Sequence, residues 1–244
     1  MEGDQISRSR QRTGHRLTHV GRGQGRAGCR TQAQWQNDPH YSPDRRHIPP
    51  MESGHFVRAL EEHRALFERL HALRPDVERI GNALAAALQT GGKVMLCGNG
   101  GSAADSQHIA AELSGRFVDD RRPLAGLALS TDSSALTCIG NDYGFDFVFE
   151  RQVRGLGRAG DCLVLISTSG KSVNLLRAAE AAQAMGVATV GLLGRDGGPL
   201  RALCDDAVVV PSATTARIQE AHIFIGHCWC GLIERALGLT LDAA

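Results

Sequence analysis

The sequence has no apolar run of the roughly 18–20 residues that a helix needs to cross a bilayer. It also lacks an apolar central region near its N-terminus, so we do not expect a secretory signal. Its seven cysteines are odd in number, and no pair has the spacing of a zinc ribbon. These absences predict a cytoplasmic protein of a reducing compartment, with no membrane partner.

Lysine is absent from the first 50 residues, which nevertheless hold nine Arg against four acidic residues. This segment has little apolar periodicity and should not pack a core. An Arg-rich tail can resemble an organelle transit peptide or contact nucleic acid. Patterned sequence begins abruptly at Met51, however, which favours a disordered or non-native extension over residues 1–50. We therefore expect no nucleic-acid partner.

From Met51 onwards, helical and strand-like patterns alternate. Two helical segments come first, one from Ser53 and a second that Pro75 can open. Five short runs rich in β-branched residues or leucine follow, at 93–97, 125–130, 161–167, 187–194 and 206–211. Helical patterns between them are typical of βαβ units. We predict an α/β domain over 51–244, a three-layer α-β-α sandwich with a five-stranded, mostly parallel sheet. The N-terminal helices either cap this domain or supply an oligomer interface.

Two of the predicted strands end in sequence suited to an anion. The first runs into Cys-Gly-Asn-Gly-Gly-Ser (97–102), and the second into Ser-Thr-Ser-Gly-Lys-Ser (167–172). Glycine lets the backbone approach a ligand, and a following helix offers free N–H groups. Such residues are also ordinary turn and cap residues. Two such loops at the ends of parallel strands nevertheless favour a phosphate site. Neither loop matches GxxxxGK[ST] or a properly placed GxGxxG, which disfavours nucleotide hydrolysis and dinucleotide binding.

The helix after the first loop carries a candidate metal site. His108, Glu112 and Arg116 recur every four residues and share one face. A His and a carboxylate at this spacing can bind one divalent ion, and such donors suit zinc. A surface His–Glu pair is the simpler interpretation, but this face starts at the proposed phosphate site.

Polar residues interrupt the apolar pattern of the last helix, predicted from about Thr215 to Leu237. Gln219 and His222 share a face, whereas His227 lies roughly 12 Å beyond Gln219 along the axis. One metal ion could meet Gln219 and His227 if both side chains leaned towards it. Alternatively, one of the two could serve a site in a neighbouring subunit. Spacing leaves both possibilities open.

Four segments together resemble the phosphoheptose isomerases, which are built on a sugar isomerase (SIS) domain. They are CGNGGSAADSQHIAAELSGRF, TCIGNDYGFDFVFERQV, GDCLVLISTSGKS and TARIQEAHIFIGH. The resemblance runs from about Met51 to the C-terminus, with the motifs in order. Lys171 stands where the family usually has Asn, and the first 50 residues have no counterpart.

The resemblance implies an activity, a cofactor and an assembly. The family interconverts sedoheptulose 7-phosphate and D-glycero-D-manno-heptose 7-phosphate, the first step towards nucleotide-activated heptose. Its members bind zinc, here one per subunit, and form homotetramers with active sites at subunit interfaces. The implied metal ligands are His108, Glu112, Gln219 and His227. The implied substrate contacts are Asn99, Gly100, Gly101, Ser102, Glu112, Asn141, Asp142, Ser167, Thr168, Ser169, Ser172 and Gln219.

Isomerisation through an enediol needs a base for a carbon-bound proton and a partner acid. We hypothesise that Glu112 is the carbon-directed base and His227 the opposing acid/base. Other SIS domains are non-catalytic sugar-phosphate sensors, and one relative is a partner of a bacterial replication initiator. The presence of all four implied ligands favours the enzyme. A different ketose phosphate as substrate is a further alternative.

Overall fold

The computed structural model describes residues 54–240. The predicted extension over 1–50 lies outside this range and remains a prediction. Two helices come first: α1 spans His55–Leu70 and α2 spans Arg74–Gln89, joined by a 3-10 turn at His71–Leu73. Pro75 lies in the first turn of α2, where its missing N–H costs no intrahelical hydrogen bond. α2 packs against β1, β5 and α7, whereas α1 packs against α7, so the two helices cover one side of the domain.

Five parallel strands form the sheet, which confirms the predicted fold class. They are β1 Val94–Gly98, β2 Gly126–Ala128, β3 Cys162–Ser167, β4 Ala188–Gly194 and β5 Asp206–Val210. Their order across the sheet is β2-β1-β3-β4-β5, and each neighbouring pair is parallel. β1 and β3 are buried along their whole length, as expected of central strands covered on both faces.

Helices cover the sheet on both sides. The remaining ones are α3 Gly101–Ser114, α4 Ser133–Asp142, α5 Glu150–Leu156, α6 Val173–Ala184 and α7 Thr215–Ala236. Val94 and Leu96 of β1 face the core shared with α1, α2, α3 and α7. Met95 and Cys97 face the core shared with α5 and α6. This alternation gives the three predicted layers. Among residues 54–240, none of the helices combines the length and the apolar composition that crossing a bilayer requires.

The strand order reverses between β1 and β3. β1 leads through α3 to β2 on one side, whereas β3 leads through α6 to β4 on the other. Since α3 and α6 pack on opposite faces, a crevice opens beyond the carboxyl ends of β1 and β3. Ligands of open α/β sheets bind at such a switch point. Both predicted anion-binding loops therefore start at this crevice.

A buried ion pair joins the ends of α3 and α7. Arg121 Nε donates to Glu234 Oε1 at 2.8 Å, and the two side chains are 2% and 1% exposed. Nη1 and Nη2 of Arg121 donate to the carbonyls of Leu113 and Glu112 in the last turns of α3. Glu234 Oε1 also accepts the N–H of Phe117. One arginine thus satisfies carbonyls at the end of α3 and anchors them to α7.

Replacing Glu234 by Gln should destabilise the protein by about 3–5 kcal/mol, because the Arg121 guanidinium is left buried without its counter-charge. Urea denaturation of parent and variant measures the change in the free energy of unfolding. The control is Glu78→Gln, which breaks the exposed Arg74–Glu78 pair on α2 and should change stability little. Equal effects of the two substitutions would contradict the role of the buried pair.

Candidate active site

The first predicted loop turns from β1 into α3. Gly100 is the N-cap residue, with φ +57° and no side-chain cap hydrogen bond. The N–H of Ala103 donates to the carbonyl of Gly100, so in the first turn of α3 the N–H of Gly101 is the group that can meet a ligand. Gly101 lies under the side chain of Gln219, whose Nε2 would be 2.2 Å from a Cβ at this position. Ser102 is buried and its N–H donates to the carbonyl of Asn99.

The second predicted loop is held in shape by its own residues and by the end of β4. Ser167 Oγ accepts the N–H of Gly170, and Ser169 Oγ accepts that of Lys171. Gly170 has φ +62°, and a Cβ there would lie 1.8 Å from the carbonyl oxygen of Gly197. Ser172 is the N-cap residue of α6, again without a side-chain cap. Ser167 is buried, Thr168, Ser169 and Ser172 are half-buried, and Lys171 is exposed.

The two loops are joined by a pair of side-chain amides. Asn99 Nδ2 donates to Asn174 Oδ1 at 3.0 Å, and Asn174 Nδ2 donates to Asn99 Oδ1 at 2.9 Å. The pair uses one N–H and one oxygen lone pair of the half-buried Asn99 amide, which leaves a second N–H and a second lone pair for a substrate. Asn174 was not predicted from the sequence, and neither was a role for Gly197 and Gly198. Two adjacent glycines after a parallel strand could have indicated a close backbone approach at Gly197 and Gly198.

Asn141 and Asp142, two of the substrate contacts that the resemblance implies, lie at the end of a helix. They are the last residues of α4. Asn141 Nδ2 donates to Asp142 Oδ1 at 2.7 Å, and Cys138 Sγ lies 3.5 Å from Asp142 Oδ2. Both residues are exposed. Their contact with a substrate stays a prediction.

Three of the four predicted metal ligands converge. The ring nitrogens Nε2 of His108 and His227 are 3.1 Å apart, and His108 Nε2 is 3.2 Å from Glu112 Oε1. One donor atom from each of His108, Glu112 and His227 lies within 4.8 Å of the others. The ring of Phe117 stacks on His227. Arg116 points elsewhere, because its guanidinium donates to the carbonyl of Val118. Two imidazoles and a carboxylate form a group that could hold a metal ion.

This convergence follows from the side-by-side packing of α3 and α7. Gln219 meets Gly101 near the starts of the helices, and Gly226 meets Ile109 further along, so the helices run in the same direction. Gly101 precedes His108 by about 10 Å at 1.5 Å per residue. The amide of Gln219 therefore lies at the glycine loop, and His227 lies at His108. Gln219 as a fourth ligand stays a prediction.

Asp105 is a titratable residue near this group that the sequence analysis missed. It precedes His108 by one helical turn, and its Oδ2 is buried without a hydrogen-bond partner among residues 54–240. Burial raises the pKa of the Asp105 carboxyl to about 6, although the charge of His108 acts in the opposite direction. The neighbouring residues of Asp105, the alanine-rich start of a helix, do not indicate that its carboxyl oxygen is buried.

His222, in contrast, belongs to the core. Its side chain is fully buried, and Nε2 donates to the carbonyl of Leu193 at 3.0 Å. Nδ1 has no hydrogen-bond partner in the part of the chain that the structure describes. Burial lowers the pKa of His222 to about 4, so the ring is neutral at pH 7.

Comparison with known proteins gives the chain a specific set of relatives. A family model described as SIS domain matches residues 60–194. The phosphoheptose isomerase of a Nitratiruptor species is 56% identical over 183 residues, which cover 75% of this chain and 98% of that protein. That of Rhodospirillum rubrum is 53% identical, covering 70% of this chain and 91% of its own. The structure of phosphoheptose isomerase GmhA from Neisseria gonorrhoeae superposes with a TM-score of 0.70 at 45% identity, covering 73% of this chain and 96% of that one.

The buried His222 predicts a pH-dependent stability. Its folded pKa of about 4 lies below the ordinary value of 6.5, so the unfolded chain binds the extra proton as pH falls from 6.5 to 4. This contribution to stability is present above pH 6.5 and is lost as pH falls through that window, with a slope of up to about 1.4 kcal/mol per pH unit. His222→Gln, which can still donate to Leu193, should flatten the slope in urea denaturation measured across this range. If the free energy of unfolding had the same pH dependence in parent and variant, His222 would make no contribution to that dependence.

Proposed function

This chain belongs to the phosphoheptose isomerase family of SIS-domain proteins, and we propose that it interconverts sedoheptulose 7-phosphate and D-glycero-D-manno-heptose 7-phosphate. It is accordingly an isomerase of aldose and ketose phosphates, acting at the first step of nucleotide-activated heptose biosynthesis. The observation that carries the proposal is one arrangement. An acid/base group of His108, Glu112 and His227 lies on the two helices that border a crevice with two anion-binding loops.

The phosphate of the substrate is proposed to bind the loop from Ser167 to Ser172. Three side-chain hydroxyls there are half-buried, and the N-cap of α6 leaves backbone N–H groups free. A helix N-terminus with its free N–H groups favours a phosphate. The rest of the sugar would extend towards Gly100, Gly101 and Ser102. Asn99 would contribute its backbone or the second N–H of its amide, since the pairing with Asn174 uses only one N–H. Asn141, Asp142, Glu112 and Gln219 complete the proposed substrate contacts.

The chemistry assigns complementary tasks to Glu112 and His227. Moving the carbonyl from C2 to C1 of the ketose requires loss of a proton from C1 and delivery of a proton to C2, through an enediol. Glu112 takes the C1 proton and returns it to C2. His227 would take the proton of the C1 hydroxyl and supply one to the oxygen on C2 through Nδ1, because its Nε2 faces His108 in the proposed metal group. The donor atoms of both residues lie within 4.8 Å, so they can reach neighbouring atoms of one substrate.

Zinc, one per subunit, is the proposed metal, with His108, Glu112, His227 and Gln219 as its ligands. The donor types and the convergence of His108, Glu112 and His227 support it. Gln219 is proposed from the resemblance alone, because its amide lies at Gly101. When bound there, zinc supplies a Lewis acid that stabilises negative charge on the substrate oxygens. A carboxylate bound to a cation is a weaker base, so the two oxygens of Glu112 take different roles. Oε1 lies towards His108, and Oε2 would face the substrate.

The alternative of a non-catalytic sugar-phosphate sensor or replication-initiator partner is not favoured. The relatives described above carry the name of the isomerase, and a binding role leaves the convergence of His108, Glu112 and His227 without purpose. Another ketose phosphate as substrate would use the same residues.

A homotetramer with active sites at its interfaces, located in the cytoplasm, is also proposed. The outer side of α1 exposes Phe56, Val57 and Leu60, and α7 exposes Phe224. A largely apolar groove of about 650 Å³ opens between α1, α2 and α7. Exposed apolar surface of this kind supports an interaction site. Cytoplasmic location is supported by the free thiols of all six cysteines between residues 54 and 240.

Glu112→Gln should lower the kcat for conversion of sedoheptulose 7-phosphate about 10²–10⁴-fold, because the carbon-bound proton loses its base. Zinc-loaded parent and variant are incubated with the substrate, and formation of the heptose 7-phosphate is followed by NMR. The matched control is Glu180→Gln, an exposed glutamate on α6 that should leave turnover unchanged.

Metal analysis of each protein separates loss of the base from loss of zinc. Near-parental turnover by folded Glu112→Gln would show that the base assignment is wrong. No turnover by the folded, zinc-loaded parent would contradict the isomerase itself and favour a sensor or another ketose phosphate.

Charges placed on the outer side of α1 should break the assembly. Phe56→Asp combined with Leu60→Asp puts two carboxylates where the tetramer would bury apolar surface, and light scattering should report a smaller particle than the parent. Val118→Asp, at an exposed apolar residue outside α1, is the control and should remain tetrameric. A monomeric parent, or a tetrameric double variant, would count against this interface.

A further inference from the structure

The amide pair between Asn99 and Asn174 spans the crevice at the switch point. Asn99 follows β1 directly and precedes the N-cap of α3, whereas Asn174 is the second residue of α6. Asn174 is 2% exposed, and the pair exchanges two hydrogen bonds of 3.0 and 2.9 Å. We propose that Asn174 is a positioning residue that fixes the spacing of the two sugar-phosphate-binding loops through Asn99. This inference rests on the proposed function, because it concerns the same site.

Stability alone is a poor reason for such a pair. Each carboxamide loses its hydration on burial, and the hydrogen bonds it regains within the protein contribute only modestly in net terms. Two apolar side chains of similar shape could fill the space as well. A reciprocal amide pair, in contrast, has a directional geometry: a small displacement of either loop breaks both hydrogen bonds together. The pair is therefore suited to setting a distance.

The position of the pair makes that distance important. α3 and α6 pack on opposite faces of the sheet, and each begins at the crevice without a side-chain cap. The second loop would hold the phosphate, while the first leads into the helix that carries His108 and Glu112. The spacing of the loops then decides where the carbons of a phosphate-anchored sugar lie relative to Glu112. A misplacement of about 1 Å can cost about a hundredfold in rate.

The second loop is fixed on its other side by backbone contacts. Gly198 would place a Cβ 2.6 Å from the carbonyl oxygen of Ser169, and the N–H of Leu200 donates to the carbonyl of Gly170. These contacts tie the loop to β4. The amide pair ties it to β1, so the loop is held between two neighbouring strand ends. Loss of the pair should release the β1 side and leave the β4 side in place.

The experiment compares Asn174→Ala, Asn99→Ala and the double variant with the parent. Binding of inorganic phosphate is measured by calorimetry well below the unfolding temperature, and kcat and KM are measured with sedoheptulose 7-phosphate. The control is Gln183→Ala at the other end of α6, which removes a comparable amide hydrogen bond to the carbonyl of Leu203. It should leave both phosphate affinity and turnover at the parental values.

We expect each single variant to lower kcat/KM by about tenfold to a hundredfold and to weaken phosphate binding. The double variant should be no worse than either single variant, because both remove the same link. A purely structural amide pair would lower the unfolding temperature and leave phosphate affinity and kcat/KM of the folded protein unchanged. That result, or additive losses in the double variant, would overturn the inference.

Asn174→Asp provides a second variant if alanine prevents folding. It keeps the shape and the hydrogen bond accepted from Asn99 Nδ2, but it sets an oxygen against Asn99 Oδ1, so it should also impair phosphate binding. Parental affinity in this variant would overturn the inference. If the parent binds phosphate but does not turn over sedoheptulose 7-phosphate, the isomerase proposal fails; dependence of phosphate binding on the pair would still support the positioning role.

Discussion

The close packing of α3 against α7 is the constraint on which the candidate site depends. The helices approach so closely that a Cβ on Gly226 would lie 2.5 Å from Ile109, and one on Gly101 would lie 2.2 Å from Gln219. Beyond these contacts, Arg121 and Glu234 join the helix ends in a buried ion pair. Because α3 and α7 are in contact at both ends, their relative position is fixed. In that position His227 faces His108, 119 residues away in sequence.

The fold was largely predictable, because its signals are local. Alternation of short apolar runs with helical patterns gave five parallel strands, and the loops after β1 and β3 were recognised from their own residues. His108 and Glu112 could be paired because four residues on one helix bring side chains together. His227 could not be added from spacing, since its place depends on the packing of two helices. Spacing left open whether one metal ion could meet both Gln219 and His227, whereas the structure places Gln219 at Gly101 and His227 at His108.

Residues whose environment is set by distant segments were missed. Asn174 reads as a polar residue near a helix start, and only the fold brings it to Asn99, 75 residues earlier. Asp105 and Arg121 owe their environments to burial, which their own sequence neighbours do not indicate. His222 and His227 illustrate the point within one helix. One is buried against the carbonyl of Leu193, and the other reaches His108 on α3.

The interlocked glycines behind the second loop have a consequence for protein engineering. A Cβ on Gly170 or Gly198 would collide with a backbone oxygen of the other segment, and Gly170, Gly197 and Gly198 all have positive φ angles. A combinatorial library that seeks acceptance of new sugars should keep these three codons constant. Lys171 is a better position to randomise, because its exposed side chain borders the same loop and meets no such steric barrier. Acceptance of new sugars at this site should therefore come from changed side chains on an unchanged loop backbone.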